Sequence, residues 1–297
     1  MSVGFSTQQK RLASDLGRMM ASLPPAEFKL SVVPPFTYDF SVLDRHIDRL
    51  DGAIFDLDGT LVVNNESVAL DTIGNVHKEW LEATHGITDT RCYRCYAGMP
   101  LYRIRKTVGD HFRLEVPQSV EDEIMAIRKR SPLSNEPIKV HPFFKGLLDY
   151  LDNAGVPMCI ATGSEPDRAL RYVEAAGLKH YFDKDGSQWL FCGRKPDPKC
   201  YHDSIQSLAA RRGITTPDPR RYISFEDSVS GVAAGVRADV NVLGHLFAEH
   251  ISPSSHAETH TCMMAADVSA VILDKEMAVH AVDCVIKQCV PPRKPTL

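Results

Sequence analysis

Two aspartates one residue apart, placed where an apolar run ends, constrain this chain more than any other feature. Ala53-Ile54-Phe55-Asp56-Leu57-Asp58-Gly59-Thr60-Leu61 reads as a buried strand feeding a turn. Both carboxylates are then held at the strand's carboxyl end, where open α/β sheets place their active sites. Acids this close repel each other, and both stay ionised readily only beside a cation. Taken alone, the same residues make an ordinary acidic turn, with Asp58-Gly59 as turn chemistry. The downstream segments decide between the two readings.

From Ala53 onward, short apolar runs alternate with helical patterns, the signature of a parallel α/β sheet. Strands are expected at 156–161, 189–191, 222–225, 240–243 and 270–273. Helices are expected at 146–153, 167–176, from 198 to about 212, 228–237 and 275–288. Between about Asn64 and Ser134 the pattern is helical throughout, over 68–83, 101–111 and 120–129. The predicted fold is therefore a Rossmann-like parallel sheet with an inserted all-helical cap. The predicted boundaries are a helical extension over 1–45, a core over 46–63 and 135–290, a cap over 64–134, and a tail over 291–297. In the extension, Leu12, Leu16, Met19, Met20 and Leu23 form one helical stripe, ended by Pro24-Pro25, with a second break at Pro34-Pro35.

Three later strand ends carry polar groups. Thr162-Gly163-Ser164 offers a hydroxyl and free amides, a reasonable cradle for phosphate oxygens. Gly193-Arg194-Lys195-Pro196 sets a lysine before a proline turn. Glu226-Asp227-Ser228 supplies acids that suit either a metal or a helix N-terminus. Each has a bland explanation, but four such segments in order, each at a strand end, make one site the better account.

Composition narrows the field. With 43% hydrophobic and 24% charged residues, the 297-residue chain has the make-up of a globular protein. A formal net charge of −4 provides no basic field for nucleic acid or an acidic membrane surface. No apolar run approaches membrane-spanning length, and no signal-peptide core follows Met1. A reduced cytoplasmic compartment is the expectation, in keeping with eight scattered cysteines. Cys92-Tyr-Arg-Cys95 has metal-ligand spacing without a second pair, which argues against zinc.

On these segments the chain resembles the haloacid dehalogenase-like hydrolases, in the branch that includes phosphoglycolate phosphatases, beta-phosphoglucomutases and sugar phosphatases. Residues 55–61 match the family's first motif, 160–164 the second, Lys195-Pro196 the third, and 223–228 with Gly231 the fourth. The resemblance spans about 50–285. Departures include Asn64-Asn65-Glu66 for the usual Asp-Ser-Glu, Arg194 before the lysine, and Asp239 near the position of a helix-ending glycine.

The resemblance implies Asp56 as nucleophile, Asp58 as proton donor and acceptor, Thr162 on the phosphoryl oxygens and Lys195 as counter-charge. It implies Mg²⁺ held by Asp56, the Asp58 backbone carbonyl and Asp227, with Glu226 in support. Gly59, Thr60, Glu66, Gly163 and Ser164 are expected near the substrate, as are Gly98 and Met99 from a cap loop that dips toward the site. The substrate is expected to be a small phosphorylated metabolite: a sugar phosphate, sugar-acid phosphate or phosphoglycolate-like monoester. A phosphosugar mutase and a catalytically silent binding module are the alternatives. Arg103 and Arg105 could meet an anionic tail or be a solvated face. His245, His250, His256 and His260 are read as loop residues rather than metal ligands.

Overall fold

The computed structural model describes residues 38–63, 66–91, 93–96, 99–130, 138–248, 251, 256–274 and 277–289. The apolar stripe read at Leu12–Leu23, both proline pairs, Asn64, Asn65, Cys92, Gly98, His250 and the tail over 291–297 lie outside them. A unit over Met1–Asp39 separates from one over Phe40–Leu297, and the elements below belong to the second.

Six parallel strands build the sheet: β1 (Gly52–Phe55), β4 (Met158–Thr162), β5 (Leu190–Cys192), β6 (Tyr222–Glu226), β7 (Asn241–His245) and β8 (Ala270–Ile272). Their spatial order is β5-β4-β1-β6-β7-β8. Every residue of β1, β4 and β6 is buried, because helices cover both faces of a parallel sheet. Alternate side chains of β1 feed opposite cores. Ile54 packs with Cys159, Tyr201, Leu208, Tyr222 and Ala234. Phe55 stacks on Phe225 at 4.9 Å and meets Phe144 and Phe182 edge-on. Burying rings of this size contributes roughly 2–3 kcal/mol each.

The connection order places the site. The chain runs from β1 out to β4 and β5, then crosses back to β6 on the other edge of β1 and continues to β7 and β8. Loops leaving the carboxyl ends of β4 and β6 thus diverge on either side of β1, opening a crevice where Asp56 emerges.

Before β4 the chain leaves the sheet. Short strands β2 (Val62–Val63) and β3 (Lys139–Val140) pair antiparallel, Val62 opposite Val140, where the chain departs and returns. Between them the named elements are helices α1 (Glu66–His85), α2 (Leu101–Phe112) and α3 (Gln118–Arg130), with a short 3₁₀ turn at Tyr93–Tyr96. These helices carry an apolar cluster of their own, centred on Ile73, Leu81, Ile104, Val108, Val120 and Ile124. Arg105 ties α2 to α3 through Glu121 Oε1 at 2.5 Å and the Val116 carbonyl at 2.6 Å. The ribbon escaped the sequence reading because two residues per strand are too few to register an alternation.

The remaining helices are α4 (Pro142–Asn153), α5 (Pro166–Ala175), α6 (Lys179–Phe182), α7 (Lys199–Arg211), α8 (Val229–Arg237), α9 (His256–Ala265) and α10 (Ala278–Ile286). The expectation of loop histidines is corrected here. His245 is fully buried at the end of β7, while His256 and His260 lie on α9. Among the described residues, no helix is long and apolar enough to cross a membrane.

Candidate active site

Asp56 follows β1 directly, and its backbone N–H donates to the Phe225 carbonyl at 3.0 Å. Because Phe55 lies opposite Phe225, the residues that follow them, Asp56 and Glu226, emerge side by side. The chain then turns sharply: the Gly59 N–H donates to the Val62 carbonyl, and the Val62 N–H to that of Leu57. Gly59 sits at φ +85°, a conformation that a side chain would oppose.

Lys195, brought in by the loop after β5, is only 4% exposed and joins two of the acids. Its Nζ lies 2.5 Å from Asp56 Oδ1 and 2.6 Å from Glu226 Oε1. The Tyr201 hydroxyl, on α7 and fully buried, donates to the same Glu226 oxygen. Burial alone would push the Lys195 pKa down, but the charges of Asp56 and Glu226 outweigh it and hold the ammonium firmly protonated. Burial pushes Glu226 up to about 7 against the pull of Lys195. Asp56 is raised as well, by burial first and by Asp58 in addition, again against Lys195.

Asp56, Glu226 and Asp227 are all buried, and one oxygen from each lies within 4.8 Å of the others. One lysine serves two of these carboxylates, in a place where water screens charge little. An all-oxygen donor set of this kind fits a hard divalent cation such as Mg²⁺ better than zinc. Within the set, Glu226 Oε1 is already engaged by Lys195 and Tyr201, and Ser228 Oγ lies 3.5 Å from Oε2.

Asp58 belongs to a different constellation. Its carboxylate accepts from the Ser164 hydroxyl and, at 3.1 Å, from Arg168 Nη2. Thr162, at the end of β4, is buried, and its Oγ1 accepts from the Ser164 N–H at 3.1 Å. That leaves the hydroxyl proton to donate outward. Gly163 is exposed and Ser164 half-buried beside it.

Other expected site residues are placed less simply. Thr60 is fully buried, and its hydroxyl faces inward, 3.4 Å from Asp227 Oδ1 and 3.0 Å from His245 Nε2. It steadies the acids rather than lining an open surface. Met99 packs, partly buried, against the apolar cluster of α1–α3. Glu66 opens α1, and Gly98 lies outside the described residues. Of the arginine pair in α2, Arg105 is spent on the α2–α3 tie, while Arg103 is exposed.

Sequence reasoning missed Arg168, Tyr201 and His245. Arg168 had a usable signal, since it lies in the first turn of the helix after the Thr162 loop. Tyr201 sits in an apolar pattern that reads as core, and His245 reads as a loop residue because the expected strand ends at 243.

A family model described as haloacid dehalogenase-like hydrolase matches residues 50–239. The chain is 32% identical over 132 residues to the mitochondrial (DL)-glycerol-3-phosphatase 1 of Arabidopsis thaliana, a match covering 43% of this chain and 40% of that one. It is 27% identical over 201 residues to the fructose-1-phosphate phosphatase YqaB of Escherichia coli K12, covering 66% of this chain and 96% of the relative. Among solved structures, a conserved haloacid dehalogenase-like protein of unknown function from Agrobacterium tumefaciens superposes with a TM-score of 0.54 at 25% identity, covering 80% of this chain and 98% of that one.

Proposed function

The chain belongs to the haloacid dehalogenase-like hydrolase family, and on that premise we propose that it is a Mg²⁺-dependent phosphatase for a small phosphomonoester. The observation that carries this reading is the buried Asp56 carboxylate held against Lys195 at 2.5 Å, beside Asp227 and Glu226, in the crevice of the sheet. The glycerol 3-phosphatase and fructose-1-phosphate phosphatase among its relatives support a phosphorylated polyol or sugar as substrate.

In this mechanism an Asp56 oxygen attacks phosphorus while the bond to the substrate's alcohol oxygen breaks. The product is an aspartyl-phosphate, which divides one difficult displacement into two easier ones. Asp58, steadied by Ser164 and Arg168, delivers a proton to the departing oxygen. A water then attacks the aspartyl-phosphate; Asp58 takes its proton, and phosphate leaves with the Asp56 carboxylate restored. Thr162 and the amides after it hold the phosphoryl oxygens, and Lys195 balances the charge on nucleophile and phosphate. Asp56 and Asp227 would hold Mg²⁺, with Glu226 behind them and the Asp58 carbonyl alongside; the ion supplies charge neutralisation for the phosphoryl group. The block 64–134 would act as a cap that closes over the substrate.

The test is hydrolysis of 4-nitrophenyl phosphate and of a sugar-phosphate panel, with and without Mg²⁺, for the chain and its Asp56→Asn variant. Mg²⁺-dependent phosphate release that vanishes in Asp56→Asn is expected. An inert chain overturns the reading, and isomerised sugar phosphate without phosphate release assigns a mutase instead.

A further inference from the structure

Three arginines that the proposed chemistry leaves unused stand around one groove. The groove, of about 400 Å³, lies between the start of α2 and the loop after β5. Tyr102 and Arg103 line the helical side, and Arg194, Lys195, Asp197 and Arg237 the sheet side. The three arginines are exposed, and none makes an ion pair among the described residues. Arg91, Arg105, Arg168, Arg220 and Arg221 are held by acids, whereas the three groove arginines share their lack of an acid partner among the described residues with surface residues such as Arg113 and Arg171; what distinguishes them is that they gather on one concavity.

Asp197, the acid in the groove lining, already accepts the Lys199 N–H at 2.9 Å. Arg237 is fixed beside the loop by a 2.8 Å bond from Nη1 to the Pro196 carbonyl, which uses one of its five donors. Guanidinium groups gathered around one concavity repel each other and focus a positive field into it, a standing cost that an anion removes. Their planar donor forks match the oxygens of a carboxylate or phosphate.

Lys195 connects this groove to the nucleophile. It lines the groove, and its ammonium touches Asp56. We infer that the substrate carries a second anionic group, a carboxylate or second phosphate, on the part that is not transferred, and that Arg103, Arg194 and Arg237 bind it. The inference rests on the phosphatase reading for the other end of the ligand. Because Arg103 comes from the helical insert and the other two from the sheet domain, the same anion draws the two together over the reacting phosphate.

The experiment uses a matched pair, 3-phosphoglycerate and glycerol 3-phosphate, which differ in a carboxylate against a hydroxymethyl group. Both are titrated calorimetrically with Mg²⁺ onto the Asp56→Asn chain, so that binding is read without turnover. The carboxylate member is expected to bind at least tenfold more tightly. Each of Arg103→Ala, Arg194→Ala and Arg237→Ala, added singly, should narrow that ratio by about 5- to 10-fold, in keeping with an exposed charge-assisted contact. Equal binding of the pair, or a ratio untouched by all three substitutions, overturns the inference. Malonate titrated onto protein saturated with 3-phosphoglycerate, whose own carboxylate then fills the groove, tests the other source of such an anion, a free effector. Saturable binding there, lost in Arg194→Ala, overturns the assignment to a substrate tail. Hydrolysis of 4-nitrophenyl phosphate separates the two proposals: activity without tail preference sinks only the groove, and tail preference without activity sinks only the phosphatase.

Discussion

Lys195 is the residue on which the site's electrostatics turn, because one ammonium serves two buried carboxylates. Removing one member of a buried ion pair leaves an uncompensated charge and costs about 3–5 kcal/mol. Lys195→Met is therefore expected to unfold at distinctly lower denaturant, and Lys195→Met combined with Glu226→Gln to recover part of that loss. A double-mutant cycle by urea denaturation gives the coupling, and strictly additive losses would rule the pairing out. A second residue-scale prediction concerns Asp89 in the helical insert. Burial pushes its carboxyl up, but hydrogen bonds from Arg91 and the Tyr93 hydroxyl prevail and hold it well below the usual carboxylate range. A depressed folded pKa lends stability that is complete above the unfolded value near 4 and lost as the pH falls through the folded one. Asp89→Asn should thus cost stability at pH 7, with the gap to the parent chain closing as the pH is lowered below about 4. Denaturation midpoints across that range measure it, and a gap independent of pH would refute the ion pair's role.

At the scale of elements, the meeting of α8 with β6 is the tightest junction in the site. A methyl group on Gly231 would sit 1.7 Å from Glu226 Oε2. That carboxylate cannot swing aside easily, since Lys195 and Tyr201 hold its other oxygen. Gly231→Ala should therefore destabilise by roughly 1–3 kcal/mol, as overpacking does. It should also lower kcat by about 100-fold through misplacement of Lys195, with KM changed less. Near-normal kcat would show that Glu226 does not position the lysine. The element scale also shows what was legible beforehand. The run 53–55 announced β1 because a strand buried on both faces is continuously apolar, and 222–225 announced β6 although the buried Ser224 interrupts its apolar run. Asp239 stood out as the residue replacing a helix-ending glycine, and it adopts φ +58° just beyond α8. The motif residues Asp56, Lys195, Glu226 and Asp227 were readable as one group because each ends a strand on the same edge. Thr60 was legible as a site residue but not its inward aim, and Tyr201 was not legible there, since the direction a hydroxyl faces depends on packing between distant segments. The helix α9 was passed over because its residues show almost no apolar stripe to mark a helix.

For the whole molecule, the acidic cluster makes metal binding and folding one equilibrium. Asp56, Glu226 and Asp227 are brought within 4.8 Å of one another only when β1 and β6 are paired, so the unfolded chain has no comparable site. A ligand that binds only the folded state stabilises it by RT ln(1 + [L]/Kd), about 1.4 kcal/mol at ten times Kd. For a domain of this size such a gain raises Tm by roughly 3–5 °C. Mg²⁺ should therefore raise the melting temperature saturably, and EDTA should reverse the shift without any substrate present. Asp227→Asn separates this from a general salt effect. The substitution removes a ligand, so the Mg²⁺-dependent rise should largely disappear. Scanning calorimetry of both chains over a Mg²⁺ series, with Na⁺ at matched ionic strength as the control, reads the difference. An equal rise in parent and variant would show that the ion acts on the surface at large and that the three acids gather there for Lys195 alone.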